Sequence, residues 1–385
     1  MLEGKKVLIG VSGGIAAYKT AYLVSRLSQQ GADVHVIMTE NACKFISPLT
    51  FETLSGNECV VDTFERVGAY DVKHISLAKD ADIFMVAPAT ANVIAKMANG
   101  LADDMLTTTF LACDCPKYVV PAMNTKMYEN QVTQDNLKKI SHYGVKVIIP
   151  AAGHLACGDT GAGKMPEPDE LFAHIEKEIA REKDMTGVKV LVTAGATREA
   201  LDPVRYITNP SSGKMGFAIA KECMMRGADV IIVKAATTAE VPRFCHVVET
   251  KSAADMYREV TRRSQAADIV FMAAAVSDYT PAIFSDQKIK KHDGEMSVEF
   301  KRTLDILARL GETRHSGQYL CGFSMETQNM VENSIAKLYK KNVDMIVANN
   351  LKVEGAGFGT DTNIVTFITK DGAEELEIMS KADVA

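Results

Sequence analysis

The chain has 385 residues, long for a single hydrophobic core, so two domains are the expectation. Its 47% hydrophobic and 24% charged residues suit a soluble globular protein, and a net charge of -6 argues against broad binding to nucleic acid or acidic membranes. No apolar run approaches a membrane span, the strand pattern opening at Lys6 leaves no room for a signal peptide, and eight scattered cysteines suit a reducing cytoplasm. Cys113 and Cys115 form a lone C-x-C, for which buried packing is a better expectation than zinc.

In chain order, an apolar run from Lys6 to Gly10 predicts a first strand, followed by the turn "VSGG". Ala16, Tyr18, Ala21, Leu23, Val24 and Leu27 then recur at helical spacing until Gly31, and "DVHVIMT" reads as a second strand. Ser12 stands where a dinucleotide fold needs its second glycine, yet Ser12, Gly13 and Gly14 at a helix start can hold a single phosphate. Taken alone, those residues favour an ordinary tight β-α turn. His74 lies in a polar stretch ahead of the buried strand "ADIFMVAPAT", which ends in a loop bearing Thr90 and Asn92. Thr107 and Thr108 follow, and these hydroxyls and amides suit a phosphate and a polar ring edge. Asn124 comes directly after a further apolar strand, in "VVPAMNTKMYEN". Cys157 sits in "GHLACGDTGAGKMPEP", whose four glycines and two prolines suit a lid better than a core. "DELFAHIEKEIAREKDMTG" reads as a charged amphipathic linking helix, with the domain boundary near Met185.

The second half repeats the grammar. "KVLVTAGATRE" is strand then loop, and "KMGFAIAKECMMRGADVIIVKAA" is helix, turn and strand. The fold class is therefore α/β, as two doubly wound domains over residues 1–185 and 186–385 with ligands at the carboxyl ends of the strands. Between the first strand and helix of this half, Ser211-Ser212-Gly213-Lys214 imitates a phosphate-binding P-loop. Thr208 and Met215 stand where that loop needs a glycine and a magnesium-binding hydroxyl, so it is not one. The serines read either as helix caps or as holders of a substrate phosphate. "MAAAVSDY" ends a strand with small residues that let a planar base approach, and Asp278 just beyond suits Mg2+. Lys288, Lys290 and Lys291 cluster in "QKIKKHDG", either as a solvated face or in contact with a triphosphate.

His74, the P-x-M-N-x-x-M run Pro121 to Met127 and the stretch "ACGDTGAGKM" resemble the flavin-dependent cysteine decarboxylase family, in its phosphopantothenoylcysteine branch. The resemblance covers residues 5–180, with Tyr128 where the family commonly has Trp. It implies a flavodoxin-like or Rossmann-like FMN domain, with Ser12, Gly13, Gly14, Thr39, Thr90, Asn92 and Thr107 around the cofactor. In that family FMN takes hydride from the thiol-bearing carbon, carbon dioxide leaves, and an enethiolate is reduced and protonated. By resemblance His74 assists the oxidative decarboxylation, Asn124 holds the carboxylate and Cys157 donates the final proton.

"TREALDPVRYITNPSSGKMG", "AAAVSDY", K-x-K-K, "GFSMET", "KLYKKNVDMIVANN" and "GFGTDTN" are similar, in this order, to phosphopantothenate–cysteine ligase over residues 187–370. Ala196 and Leu304 replace prolines usual in that family. The resemblance implies a Rossmann-like ligase domain that uses CTP and Mg2+ to form an acyl-cytidylate, which the cysteine amine attacks. Ala273, Ala274, Asp278, Phe323, Lys337 and Lys341 would surround the nucleotide. Asp278 would hold the metal, Lys288 would counter triphosphate charge, and Asn209 would serve conversion of the acyl-cytidylate.

Joined, the two resemblances imply the bifunctional family of coenzyme A synthesis. Such a chain makes 4'-phosphopantothenoylcysteine from 4'-phosphopantothenate, cysteine and CTP, and then decarboxylates it to 4'-phosphopantetheine. They also imply a homo-oligomer of trimeric flavin domains and dimeric ligase domains, a dodecamer. A pair of nicotinamide domains is disfavoured, because G-x-G-x-x-G is missing and no acidic residue ends "DVHVIMT". A regulatory binding subunit is disfavoured because His74, Asn124 and Cys157 occur together.

Overall fold

A computed structural model describes residues 2–64, 72–154, 160–290, 296–326, 329–350 and 359–385. Cys157, Lys291 and the part of "ACGDTGAGKM" ahead of Thr160 lie outside the described residues. The chain divides into two units, residues 1–181 and 182–385.

In the first unit, strands β1 (Lys6–Val11), β2 (Asp33–Met38), β3 (Ile83–Ala89), β4 (Lys117–Pro121) and β5 (Lys146–Val147) form one parallel sheet. Its order, β2-β1-β3-β4-β5, is the flavodoxin-like one, which places a ligand where β1 and β3 part. β3 is buried at every position, as a parallel strand covered on both faces must be. The helices are α1 (Ala17–Gln29), α2 (Pro48–Ser55), α3 (Lys73–Asp80), α4 (Ala91–Asn99), α5 (Met105–Ala112), α6 (Thr125–Glu129), α7 (Gln131–His142) and α8 (Pro168–Ile179). A hairpin, β6 (Ala151–His154) with β7 (Thr160–Lys164), stands apart from the sheet.

Two expectations change here. The buried face of α1 carries Ala17, Lys19, Thr20, Leu23, Val24 and Leu27, while Tyr18 is exposed. The helix is thus rotated from the face its apolar residues suggested, because Lys19 is neutralised inside. The expected linking helix is no linker: α8 buries Leu171, Phe172, Ile175 and Ile179 in the first unit, with Arg26 stacked 4.4 Å over the Phe172 ring. The chain leaves that unit after Arg181, ahead of Met185, whose N–H already donates to Arg226 O in the second unit.

In the second unit, β8 (Lys189–Ala194) enters the sheet, and β9 (Arg198–Ala200) pairs antiparallel with β10 (Tyr206–Thr208). The stretch read as a loop is therefore a short ladder. Then come α9 (Lys214–Met225), β11 (Asp229–Lys234), β12 (His246–Glu249), α10 (Ala253–Ser264) and β13 (Ile269–Met272). β14 (Tyr279–Pro281) pairs with β15 (Phe300–Arg302), ahead of α11 (Ile306–Thr313), β16 (Tyr319–Glu326), α12 (Met330–Lys340) and β17 (Met345–Asn350). β18 (Thr362–Asn363), β19 (Val365–Thr369), β20 (Gly372–Glu375), β21 (Met379–Ser380) and α13 (Lys381–Val384) close the chain. The main sheet runs β12-β11-β8-β13-β16-β17-β19-β20, parallel up to β17 and antiparallel beyond. Its six parallel strands follow the Rossmann order, and their switch point lies between β8 and β13. The two sheets thus share a grammar but not a strand order.

Candidate active sites

A cavity of about 650 Å³ opens at the carboxyl ends of β1 and β3, within the size range of small-molecule sites. Gly13, Gly14, Thr90, Ala91, Asn124 and Met127 are in its wall. A Cβ on Gly13 would stand 2.6 Å from Asn41 Cβ, so only glycine lets this turn pass. At Gly14 the nearest atom to a Cβ would be Thr90 Cγ2 at 3.9 Å, so that position opens onto the cavity. The turn enters α1 through Ala16, which makes no side-chain cap. Ala17 and Lys19 N–H turn back onto Gly14 O and Ala16 O at 3.0 Å, so it is the turn ahead of them, at a helix start, that an anion can use. Glycines at a helix start and an apolar wall together fit a phosphorylated flavin.

Ser12 behaves otherwise than expected. It is fully buried, its hydroxyl donates to Pro88 O at 2.7 Å, and it accepts from Thr90 N–H at 2.9 Å. It ties the two strand ends together and does not line the cavity. Thr107 is spent on the capping box of α5, donating to Asp104 Oδ1 at 2.8 Å. Thr39 accepts from Ala42 N–H at 3.2 Å in a local turn, and Asn92 is exposed on α4. None of these three lines the cavity. His74 does not line it either, because it opens α3, which packs beside α5 rather than over the switch point.

Asn124 stands between β4 and α6. It caps α6, its Oδ1 accepting from Lys126 N–H at 2.9 Å, and it faces the cavity. The hairpin strand β7 lies on this loop, since Met123 N–H donates to Gly163 O at 3.1 Å. Gly163 has φ +125, and a Cβ there would stand 2.3 Å from Met123 O, so the approach requires glycine. Sequence reasoning missed Lys19, Lys164 and Met165 in the wall. Lys19 is buried on α1, its Nζ 2.7 Å from Glu167 Oε1 and 3.2 Å from Met165 O. A lysine among the apolar positions of α1 was the available signal.

The second unit holds two adjoining cavities, of about 510 and 410 Å³. Ala274, Val276, Asp278, Phe323 and Lys337 belong to both walls. The smaller cavity also takes Asn209, Ser211, Ser212, Gly213 and Ala273, so the false P-loop does face a ligand space. Lys214 donates to Asp361 Oδ1 at 2.7 Å and Lys381 to Thr360 O at 2.6 Å, both in this wall. The larger cavity takes Lys341 and the segment from Arg302 to Leu307. Burial pulls the Lys341 ammonium below the usual lysine value, the charge of Asp278 opposes this, and Asp305 pairs with it. Lys381 was missed, and its signal was weak: one lysine near the end of the chain.

Lys288 is exposed and lines neither cavity. Its segment is nevertheless tied to the β9–β10 turn by Asp202, whose side chain is fully buried and accepts from Ile289 N–H. Burial would raise that carboxyl, but N–H groups of Val204, Arg205 and Ile289 and the Arg205 guanidinium hold it well below the usual carboxylate range. Asp278, in the wall of both cavities, is a carboxylate of the kind a magnesium ion takes as an oxygen ligand. No group of three or more acidic, histidine or cysteine side chains is placed to hold a metal ion by itself among the described residues. No helix among them is long and apolar enough to cross a membrane.

Residues 1–180 match the family described as "Flavoprotein", and residues 185–385 match the DNA/pantothenate metabolism flavoprotein C-terminal domain. The chain is 49% identical to the coenzyme A biosynthesis bifunctional protein CoaBC of Bacillus subtilis, covering 100% of this chain and 96% of that one. It is 39% identical to that of Escherichia coli, covering 99% and 94%. Among solved structures, the C-terminal domain of a coenzyme A biosynthesis bifunctional protein CoaBC is 41% identical, covering 52% of this chain and 91% of that one at a TM-score of 0.44. The FMN binding protein AtHal3 is 32% identical, covering 44% and 94% at 0.39.

Fold and sites define a flavoprotein of two doubly wound α/β domains, the first flavodoxin-like. The chain belongs to the family of bifunctional coenzyme A biosynthesis proteins, enzymes that join an FMN-dependent decarboxylation to a ligation.

Proposed function

We propose that residues 186–385 condense 4'-phosphopantothenate with cysteine at the expense of CTP and Mg2+, and that residues 1–185 decarboxylate the resulting 4'-phosphopantothenoylcysteine to 4'-phosphopantetheine. The observation that carries this is the pair of ligase cavities meeting at one wall. A ligase that activates a carboxylate must hold a nucleotide and an acid side by side, and these cavities adjoin at Asp278 and Lys337. The larger one, with Lys341, Phe323 and Asp278, takes the nucleotide. The smaller one, with Asn209 and the start of α9, takes the phosphorylated acid.

In the flavin domain, bound FMN supplies a reversible two-electron acceptor beside the thiol-bearing carbon. Asn124, fixed as the cap of α6, orients the substrate carboxylate in the cavity wall. The β6–β7 hairpin lies against the Asn124 loop, and Cys157, between its two strands in the sequence, supplies the last proton. His74 assists from α3. Exposed apolar side chains, Tyr22 and Leu49 in one unit and Ile283 and Phe284 in the other, support assembly into trimers of flavin domains and dimers of ligase domains. The enzyme works in the cytoplasm, where its cysteines stay reduced.

The test supplies phosphopantothenate, cysteine and either CTP or ATP to the full chain, and follows pyrophosphate and carbon dioxide. Pyrophosphate with CTP but not ATP, followed by carbon dioxide, is expected. Equal use of ATP would overturn the nucleotide assignment.

A further inference from the structure

Attack of the acid on the nucleotide brings two anions together. A carboxylate oxygen donates its lone pair to the α-phosphorus, the bond from that phosphorus to the bridging oxygen breaks, and pyrophosphate leaves with the bonding pair. The step consumes no proton and no redox equivalent, so its electrostatic difficulty is repulsion at the point where the two substrates meet. A cation free to face both substrates at that point lowers the barrier more than one elsewhere in either cavity.

Only the shared wall meets this condition. Of its five residues, Ala274, Val276 and Phe323 are apolar and Asp278 is anionic, which leaves Lys337 as its one cation among the described residues. The other lysines are confined to one cavity and engaged. Lys341 belongs to the larger cavity and pairs with Asp305. Lys214 and Lys381 belong to the smaller one and bond Asp361 and Thr360. Arg302 is confined to the larger cavity, and Lys288 lines neither. Lys337 is half-buried on α12, ahead of Lys341 by one helical turn, and its ammonium has no hydrogen bond or ion pair among the described residues. A protein partner already claims each of the three neighbouring lysines, and none claims this one.

We propose that Lys337 is a catalytic residue of the activation step, holding the acid's carboxylate and the α-phosphate of the nucleotide together rather than anchoring either alone. This rests on the ligase reading above. The two substrates then bind more tightly together than separately, through the lysine they share.

The test compares full-length wild type, Lys337→Gln and Lys337→Arg. Calorimetry measures CTP and phosphopantothenate each alone, and rapid quench measures pyrophosphate release with both present. In Lys337→Gln each separate affinity is expected to stay within about threefold, while pyrophosphate release falls about 100-fold or more, the scale of losing one preorganised charge. Lys337→Arg is expected to keep at least a tenth of the wild-type release rate, on the same electrostatic ground. Decarboxylation of supplied phosphopantothenoylcysteine controls for folding, and if the glutamine variant fails it, the arginine variant decides. A loss of separate CTP affinity as large as the loss in rate would make Lys337 a nucleotide anchor and overturn the proposal. Equal loss in the arginine and glutamine variants would overturn it too. If the wild type released no pyrophosphate, the ligase reading itself would fail, whatever the variants did.

Discussion

Ser12→Ala separates two roles for one hydroxyl. Ser12 was expected to hold the flavin phosphate, but its side chain joins the ends of β1 and β3. Alanine removes the oxygen from a fully buried position with almost no change in packing. Thr90 N–H then loses its acceptor, whereas Pro88 O keeps the backbone bond from Ser12 N–H at 3.2 Å. One orphaned donor and one lost hydrogen bond together cost about 2–4 kcal/mol. For a unit of this size that lowers the midpoint of thermal unfolding by about 5–15 °C. The assay is calorimetric melting of the full chain stripped of flavin, alongside FMN titration of the refilled protein. A stripped variant that melts with the wild type but binds FMN far more weakly would refute the brace and restore Ser12 as a phosphate ligand.

Gly163→Ala puts a Cβ 2.3 Å from Met123 O at φ +125, a strain of about 1–3 kcal/mol that lifts β7 off the Asn124 loop. Decarboxylation should fall about tenfold for such a misplacement while flavin absorbance persists, and an unchanged rate would remove the hairpin from the site. Asp202→Asn should destabilise the ligase unit at neutral pH. Asp202 has a depressed folded pKa, so its contribution is complete above the ordinary value of 3.8 and is lost as pH falls through the lower folded value. The gap between the melting points of wild type and variant should therefore close in acid below 3.8, and a pH-independent gap would contradict this. Cys157→Ser should still release carbon dioxide but accumulate the unreduced enethiol, measured by mass spectrometry; normal yields of saturated product would remove Cys157 from proton donation.

The amino-acid sequence by itself determined the α/β class, the placement of loops such as Gly13-Gly14, Asn124 and Asn209 at strand ends, and the family. Each follows from local chemistry: apolar runs of strand length, glycines at turns, and motifs whose spacing survives without coordinates. It also carried a real ambiguity at every hydroxyl, because a serine or threonine beside a strand end reads alike as ligand or brace. Tertiary contacts favour the brace for Ser12 and Thr107, whose oxygens meet Pro88 O and Asp104 across the fold or within a cap. Lys19 left only a weak mark, one lysine within α1, since a lysine can sit on a buried helix face only when a partner such as Glu167, far along the chain, arrives to neutralise it. The strand orders, the short β9–β10 ladder and the wall that places Lys337 between two cavities depend on residues brought together from distant segments. Spacing along a chain reports which groups are present at an end of a sheet. Which of them remain free for a ligand is decided only when the rest of the fold has taken its hydrogen bonds.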